Sequence, residues 1–307
     1  MPKVSVIIPA RNEKYLAKTV EDVFFKATGE IEVVVTVDGP TSYPLPTERP
    51  NLKFVKKPVA EGLRPALRDA SQIATGKYLL KLDAHTMLSE GFDETLKKSC
   101  EDNWVVASRF CSLDADIWEK DPDIQNDYFF LSCPWGEKRI KGSYLFREVT
   151  WVSRDRARKD IMIDETMSFQ GSMWFMATEH FHGRLKDMCD GLSIWGTWSG
   201  EQQEIALKTW LGGGKVMVNK NVWNAHYSKR MWERLESVPN YSRNNDATLH
   251  KHLALYFLKN KWEDRVHNFD WLIDRFWPLP TKSTKLAEEK YFWPEDWRDY
   301  YTKCLNK

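Results

Sequence analysis

The 307-residue chain is short of cysteine, lacks glycine-rich nucleotide loops and long apolar runs, and carries almost no excess of charge. Each absence removes a class of protein. Five cysteines, at 100, 111, 133, 189 and 304, are scattered with no Cys-x-x-Cys pair, which excludes a disulfide framework and a cysteine-rich zinc site and reads as reduced thiols. No stretch approaches the roughly eighteen apolar residues of a membrane span, and the N-terminal apolar run at 4–8 stops at Pro9, too short for a signal peptide. A cytoplasmic protein is the expectation. Neither G-x-x-x-x-G-K-[ST] nor G-x-G-x-x-G follows the first strand, which argues against P-loop and dinucleotide folds. With 45 basic and 44 acidic side chains the net charge is +1, so no global footprint for a polyanion exists, although a local basic groove remains open.

What is present reads as a folded α/β protein. The hydrophobic fraction is 42% and the charged fraction 29%, enough chain and enough apolar surface for one large domain, with or without a small extension. Fifteen tryptophans are the unusual count; they stack on sugars and bases but equally fill cores. Residues 4–8 are a β-branched strand pattern, a helix is expected from Asn12 to about Lys26, and 32–37 form a second strand ending at Asp38. This is a βαβ unit, whose ligands bind at the carboxyl ends of strands. A short strand at 52–55, a helix from about Arg64 to Ala74 and a strand at 77–82 follow. A helix at 91–102 and a strand at 104–110 complete the regular part. Residues 112–165 are irregular and read as an insertion shaping an acceptor site. Pattern returns with a strand at 170–176, a helix from Thr178, a helix at 201–211 ended by Gly212, and a strand at 215–218. Polar residues 228–245 suggest a lid, helices are expected at 247–260 and 263–276, and the aromatic tail 277–307 should pack back on the core.

The chemistry concentrates where the strand KYLLKL ends in Asp83-Ala84-His85. A carboxylate and an imidazole one residue apart at a strand end can face one cation, and an O/N donor set suits Mn2+ (or Mg2+). The plainer reading is that Asp83 caps a turn and His85 is a loop residue.

Four stretches then carry a resemblance in consistent order: VSVIIPARNE, EGLRPALRDASQIATGKYLLKLDAH, TWSGEQQEIALKTWLGGGKV and VWNAHYSKR. Together they resemble the GT-A-fold glycosyltransferases, family-2-like in the N-terminal part and similar to the polypeptide N-acetylgalactosaminyltransferases in motif set. The match spans about 3–110 and 168–230. The resemblance implies a GT-A fold, a Rossmann-like, mostly parallel sheet flanked by helices, over 1–230, with 231–307 as lid and helical aromatic extension. It implies a metal held by Asp83, His85 and His226, and a donor, a UDP-sugar, at Pro9, Ala10, Arg11, Glu13, Asp38, Arg64, Leu82, Asp83, Ala84, Gly171, Trp198, Lys229 and Arg230. Glu201, Gln202 and Glu204, in a stretch resembling a WGGEN-x-E box, are implied at the sugar and acceptor, with retention favoured. Ser199 and Gln202 depart from that box, and the second strand ends in a single acidic residue, Asp38. Each carries a plainer reading: Asp38 as a turn former, the acidic residues as first-turn helix carboxylates, the bases as surface groups. The expected acceptor is a hydroxymethylated pyrimidine in DNA, otherwise a cytosolic protein or soluble glycan. A nucleotidylyltransferase, which should carry a glycine-rich signature that PARNEKYL lacks, and an inactive nucleotide-sugar-binding module are the rivals.

Overall fold

The structure is a computed structural model describing residues 4–133, 146–185, 200–229, 254–281 and 292–305. Trp198, Arg230 and nearly all of the expected lid lie outside the described residues. β1 (Val4–Ala10), β2 (Ile31–Asp38), β3 (Leu52–Lys57) and β4 (Tyr78–Leu82) form a parallel block in the order 3-2-1-4. β1 shows why: Val4, Val6 and Ile8 join one core and Ile7 the other, so both faces of the strand are covered. Helix α1 (Leu16–Lys26) packs on the first face and α2 (Leu63–Ile73) on the second.

The chain continues through β5 (Thr86–Leu88), α3 (Phe92–Ser99), β6 (Trp104–Asp114), β7 (Glu119–Asn126), β8 (Phe129–Leu131), β9 (Glu148–Thr150), α4 (Val152–Ala157) and β10 (Ile163–Glu165). It then forms β11 (Met173–Ala177), α5 (Thr178–Arg184), α6 (Glu201–Leu211), β12 (Lys215–His226), α7 (Phe269–Phe276) and α8 (Trp297–Leu305). The sheet runs β10-β12-β6-β11-β4-β1-β2-β3, with β5 added to β12 and β7 to β6. β11 lies antiparallel between β4 and β6, and β6 and β12 are parallel. The result is the expected α/β architecture with a mostly parallel sheet.

Several boundaries move for physical reasons. Helix α1 begins at Leu16 rather than Asn12, because Asn12 takes a left-handed backbone (φ 47°) that no helix continues. The described parts of 112–165 are less irregular than expected, since β7 pairs with β6 and β10 pairs with β12. β12 runs to His226 instead of stopping at 218, through an irregularity between Asn219 and Trp223. The helix expected at 263–276 starts at Phe269, because Val266 and His267 donate their N–H groups to the Leu211 carbonyl and so dock on the end of α6. In the tail, Trp293, Trp297 and Tyr301 are buried in the same core as Ile7 and Trp174. Tryptophan here is largely packing material.

Gly76 brings β4 against β1. Its N–H donates to Ser5 Oγ at 2.8 Å, and a Cβ would stand 2.7 Å from the Ser5 backbone nitrogen. Gly76→Ala should therefore lower stability by about 1–3 kcal/mol, read as a reduced urea midpoint, since backbone must move to admit the methyl.

Candidate functional site

Alternation along β4 places Lys81 and Asp83 on one side, two residues apart. Asp83 is anchored by its N–H, which donates to the Ser172 carbonyl at 2.9 Å. His226 arrives from β12, whose last residues pair antiparallel with β5 in the register His226↔Thr86. The Tyr227 N–H closes the corner on the His85 carbonyl at 3.1 Å. Ligand-type atoms of Asp83, His85 and His226 thus fall within 4.8 Å of one another. His226 Nε2 lies 3.2 Å from Asp83 Oδ2 and 3.1 Å from His85 Nε2.

The charges around this group favour a cation. Lys81 Nζ sits 2.7 Å from Asp83 Oδ1, so the second oxygen, Oδ2, is the one turned to the imidazoles. Burial alone would raise the Asp83 carboxyl, but Lys81 and then the two histidines override it and hold the group far below the ordinary range. Burial pulls His226 below its usual value, against the attraction of Asp83, and so favours the neutral imidazole that binds metals. An ionised carboxylate oxygen and two imidazole nitrogens converging on one point fit Mn2+ by donor chemistry.

A further layer holds this one. Glu13 Oε2 is 3.1 Å from His85 Nδ1, and Lys229 Nζ donates to Glu13 Oε1 at 2.5 Å. Burial opposes the Glu13 charge, yet His85 and Lys229 keep its carboxyl below the usual value. Behind Asp83, Lys81 donates to the Gly171 carbonyl and lies 3.8 Å from Glu201 Oε2, while the Trp174 indole N–H donates to Glu201 Oε1. Asn224 links the strands by donating to Ser172 Oγ and accepting from Ser108 Oγ, both at 2.8 Å.

The other expected site residues divide. Pro9, Ala10, Arg11, Leu82 and Ala84 lie at the carboxyl ends of β1 and β4, as their positions required. Arg64 does not reach toward donor phosphates: it is 0% exposed and its Nη1 meets Glu204 Oε2 at 2.5 Å. Glu204, expected at the acceptor cleft, is equally buried and also paired with Lys208 at 2.7 Å. The reason is that α6 is buried on nearly every side, so its acidic first turn faces protein. Lys229 is engaged by Glu13. Asp38 accepts the N–H groups of Glu61 and Gly62 at 2.7 and 2.9 Å, closing the turn into α2. Gln202 lies over Gly171, where an added Cβ would come within 3.0 Å of its amide. Trp198 and Arg230 are outside the described residues.

Three groups escaped the sequence reading. Lys81 had a visible signal, a cation inside a buried-strand pattern two residues before the metal-type carboxylate. Glu148, from the irregular segment, had none; it accepts from Gln202 Nε2 at 2.7 Å and from the Gln203 amide. The third is an aromatic wall beside His226: the Tyr15 ring is 5.4 Å from that of Tyr227 and 6.1 Å from that of Trp118, with the Lys18 ammonium over Trp118.

The sequence profile described as "Glycosyl transferase family 2" matches residues 5–167, just over half of the chain. The chain belongs to glycosyl transferase family 2. Polypeptide N-acetylgalactosaminyltransferase 3 of Homo sapiens is 24% identical over 237 residues, covering 71% of this chain and 35% of that protein. Polypeptide N-acetylgalactosaminyltransferase 5 of Caenorhabditis elegans is 27% identical, over 100% of this chain and 44% of that protein. The chain therefore spans less than half the length of these two relatives. Among solved structures, GalNAc-T7 with UDP, GalNAc and Mn2+ superposes with a TM-score of 0.60 at 18% identity, covering 90% of this chain and 56% of that one. Staphylococcus aureus TarS 1–349 with UDP-GlcNAc gives 0.50 at 17% identity, covering 84% and 67%. These likenesses show the GT-A fold.

Two measurements test the charges of the site. Arg64→Met takes from buried Glu204 one of its two cationic partners among the described residues and leaves it with Lys208; it should cost about 1–3 kcal/mol in urea unfolding, the usual penalty for a lost hydrogen bond to a buried charged group. Burial raises the Glu148 carboxyl from 4.5 to about 7, so folding favours its protonated form; that stabilisation is complete below pH 4.5 and lost as pH rises through about 7. Glu148→Gln removes the dependence. The melting temperature of the variant relative to wild type should climb between pH 4.5 and 7 and stay level on either side.

Proposed function

We propose that the chain is a metal-dependent glycosyltransferase that moves a sugar from a UDP-sugar to an acceptor hydroxyl with retention at the anomeric carbon. The observation that carries this reading is the convergence of Asp83, His85 and His226 at the carboxyl end of β4 in a family-2 fold. UDP and Mn2+ together in the GalNAc-T7 structure, and UDP-GlcNAc in that of TarS, support the donor and the metal. A divalent cation at the triad would offset the diphosphate charge and act as a Lewis acid toward the leaving group.

The chain's own residues supply the rest. Lys81 keeps Asp83 ionised and turns Oδ2 toward the imidazoles. Pro9, Ala10 and Arg11, with Asp38 beside them on β2, form the wall assigned to base and ribose. Glu201 is 1% exposed and tied to Trp174 and Lys81, which suits a supporting role better than deprotonation of an acceptor. That supports retention, in which the leaving phosphate oxygen takes the acceptor proton. Gln202, over Gly171 and bonded to Glu148, is the α6 amide assigned to the sugar.

For the acceptor the reading is a hydroxymethylated pyrimidine in DNA, supported by the half-buried Tyr227 and Trp118 rings, which pack around buried Tyr15 with Lys18 over Trp118 and offer partly exposed aromatic faces of the kind that stack a base. A donor panel with Mn2+, read for free UDP, tests the chemistry. Wild type should release UDP from one donor, EDTA should abolish release, and Asp83→Ala/His85→Ala should lose at least about 100-fold, the scale of a removed charge-stabilising group. Absence of nucleoside diphosphate from every donor would overturn the transferase reading and leave the two rivals, a nucleotidylyltransferase and an inactive binding module. Transfer to hydroxymethylated DNA, to protein or to soluble glycan then assigns the acceptor.

A further inference from the structure

Glu13 looks like a donor contact by position, following the first strand in the segment that meets nucleotides in such sheets. Its geometry says otherwise. Asn12, in the left-handed region at φ 47°, turns the chain before α1 and is held there by the Ser42 N–H, which donates to Asn12 Oδ1 at 2.8 Å. A polar short side chain tolerates that conformation, and the turn aims the next side chain inward. Glu13 is accordingly 9% exposed, with one oxygen 3.1 Å from His85 Nδ1 and the other on Lys229. Both oxygens are directed at protein cations or imidazole.

His85 has two ring nitrogens and needs them distinguished. If Nδ1 carries the proton and gives it to Glu13, Nε2 keeps its lone pair, and Nε2 is the atom 3.1 Å from His226 Nε2 within the triad. A carboxylate on the far nitrogen fixes tautomer and ring orientation and makes the ligating nitrogen a better donor. Lys229, three residues after His226, pins that carboxylate in turn and links the exit of β12 to the first loop.

We infer that Glu13 is a positioning residue of the metal centre, which orients His85 and strengthens it as a ligand, and that Lys229 serves the metal through Glu13. The inference rests on the metal reading given above. It differs from a structural ion pair, which would contribute to folding without touching metal affinity, and from a donor contact, which would act without metal.

The test uses Mn2+ alone, followed by loss of the free-ion EPR signal, on the full chain with no donor present. Glu13→Ala should weaken Mn2+ binding about 10–100-fold, the usual cost of removing an outer partner of a ligating histidine. Glu13→Gln, which keeps an accepting oxygen but loses the charge, should fall between Glu13→Ala and wild type. UDP affinity in EDTA should be the same in wild type and Glu13→Ala. Glu13→Gln is isosteric, so it carries the test where Glu13→Ala fails to fold. Mn2+ affinity equal to wild type in a folded variant overturns the inference and leaves the metal reading intact. An equal loss of UDP affinity in EDTA also overturns it, making Glu13 a donor contact. No Mn2+ binding by wild type sinks the inference together with the metal reading.

Discussion

The site depends on a short antiparallel pairing between Thr86–Leu88 and the last residues of β12. His85 and His226 are 141 residues apart in sequence, and this pairing is what sets their rings 4.8 Å apart. The irregularity between Asn219 and Trp223 lets β12 run beside β6 and then continue to the metal-type cluster. Helix α1 fixes β5 from the other side, through Thr19 Oγ1 accepting the Thr86 N–H and Asp22 accepting the Leu88 N–H. The histidines therefore occupy a frame of backbone hydrogen bonds before any ligand is involved.

Charge, in this protein, is buried in pairs that join elements. Lys81 ties β4 to α6 through Glu201, and Arg64 ties α2 to α6 through Glu204. Such pairs are seldom a large net source of stability, because desolvation offsets much of the attraction. Their value lies in geometry: a misplaced helix would leave an uncompensated charge in the interior. The consequence for the site is that α6, which carries Gln202, cannot shift far without disturbing Asp83.

Much of this was readable in the residues. The β-branched runs at 4–8 and 32–37, the Gly76 stop and the Asp83-Ala84-His85 ending stated the parallel block and the metal-type pair, because strand period and glycine chemistry are local. His226 was reachable only through the motif resemblance, since the pairing that places it is long-range. The burial of Arg64 and Glu204 is not legible in the sequence, because a helix that is buried on nearly every side gives no periodic sign of which side faces protein. Glu148 was invisible for a related reason: its role comes from the approach of a short strand to α6, and nothing around it in sequence is periodic. By pattern Asn12 opens a helix, but a side chain able to adopt the left-handed conformation is the better clue to the turn that it makes.

The two outer edges of the sheet are unlike each other. At one end β3 presents Lys53 and Lys56, while Lys57 is turned in to Glu61 and Asp69. At the other, β10 exposes Ile163 but is only three residues long. Cationic side chains repel a second chain that would extend the ladder, and a strand of that brevity offers too few free backbone groups to template one. The β3 and β10 ends of the main ladder are thus kept from templating an intermolecular strand by repulsion on one flank and by shortness on the other.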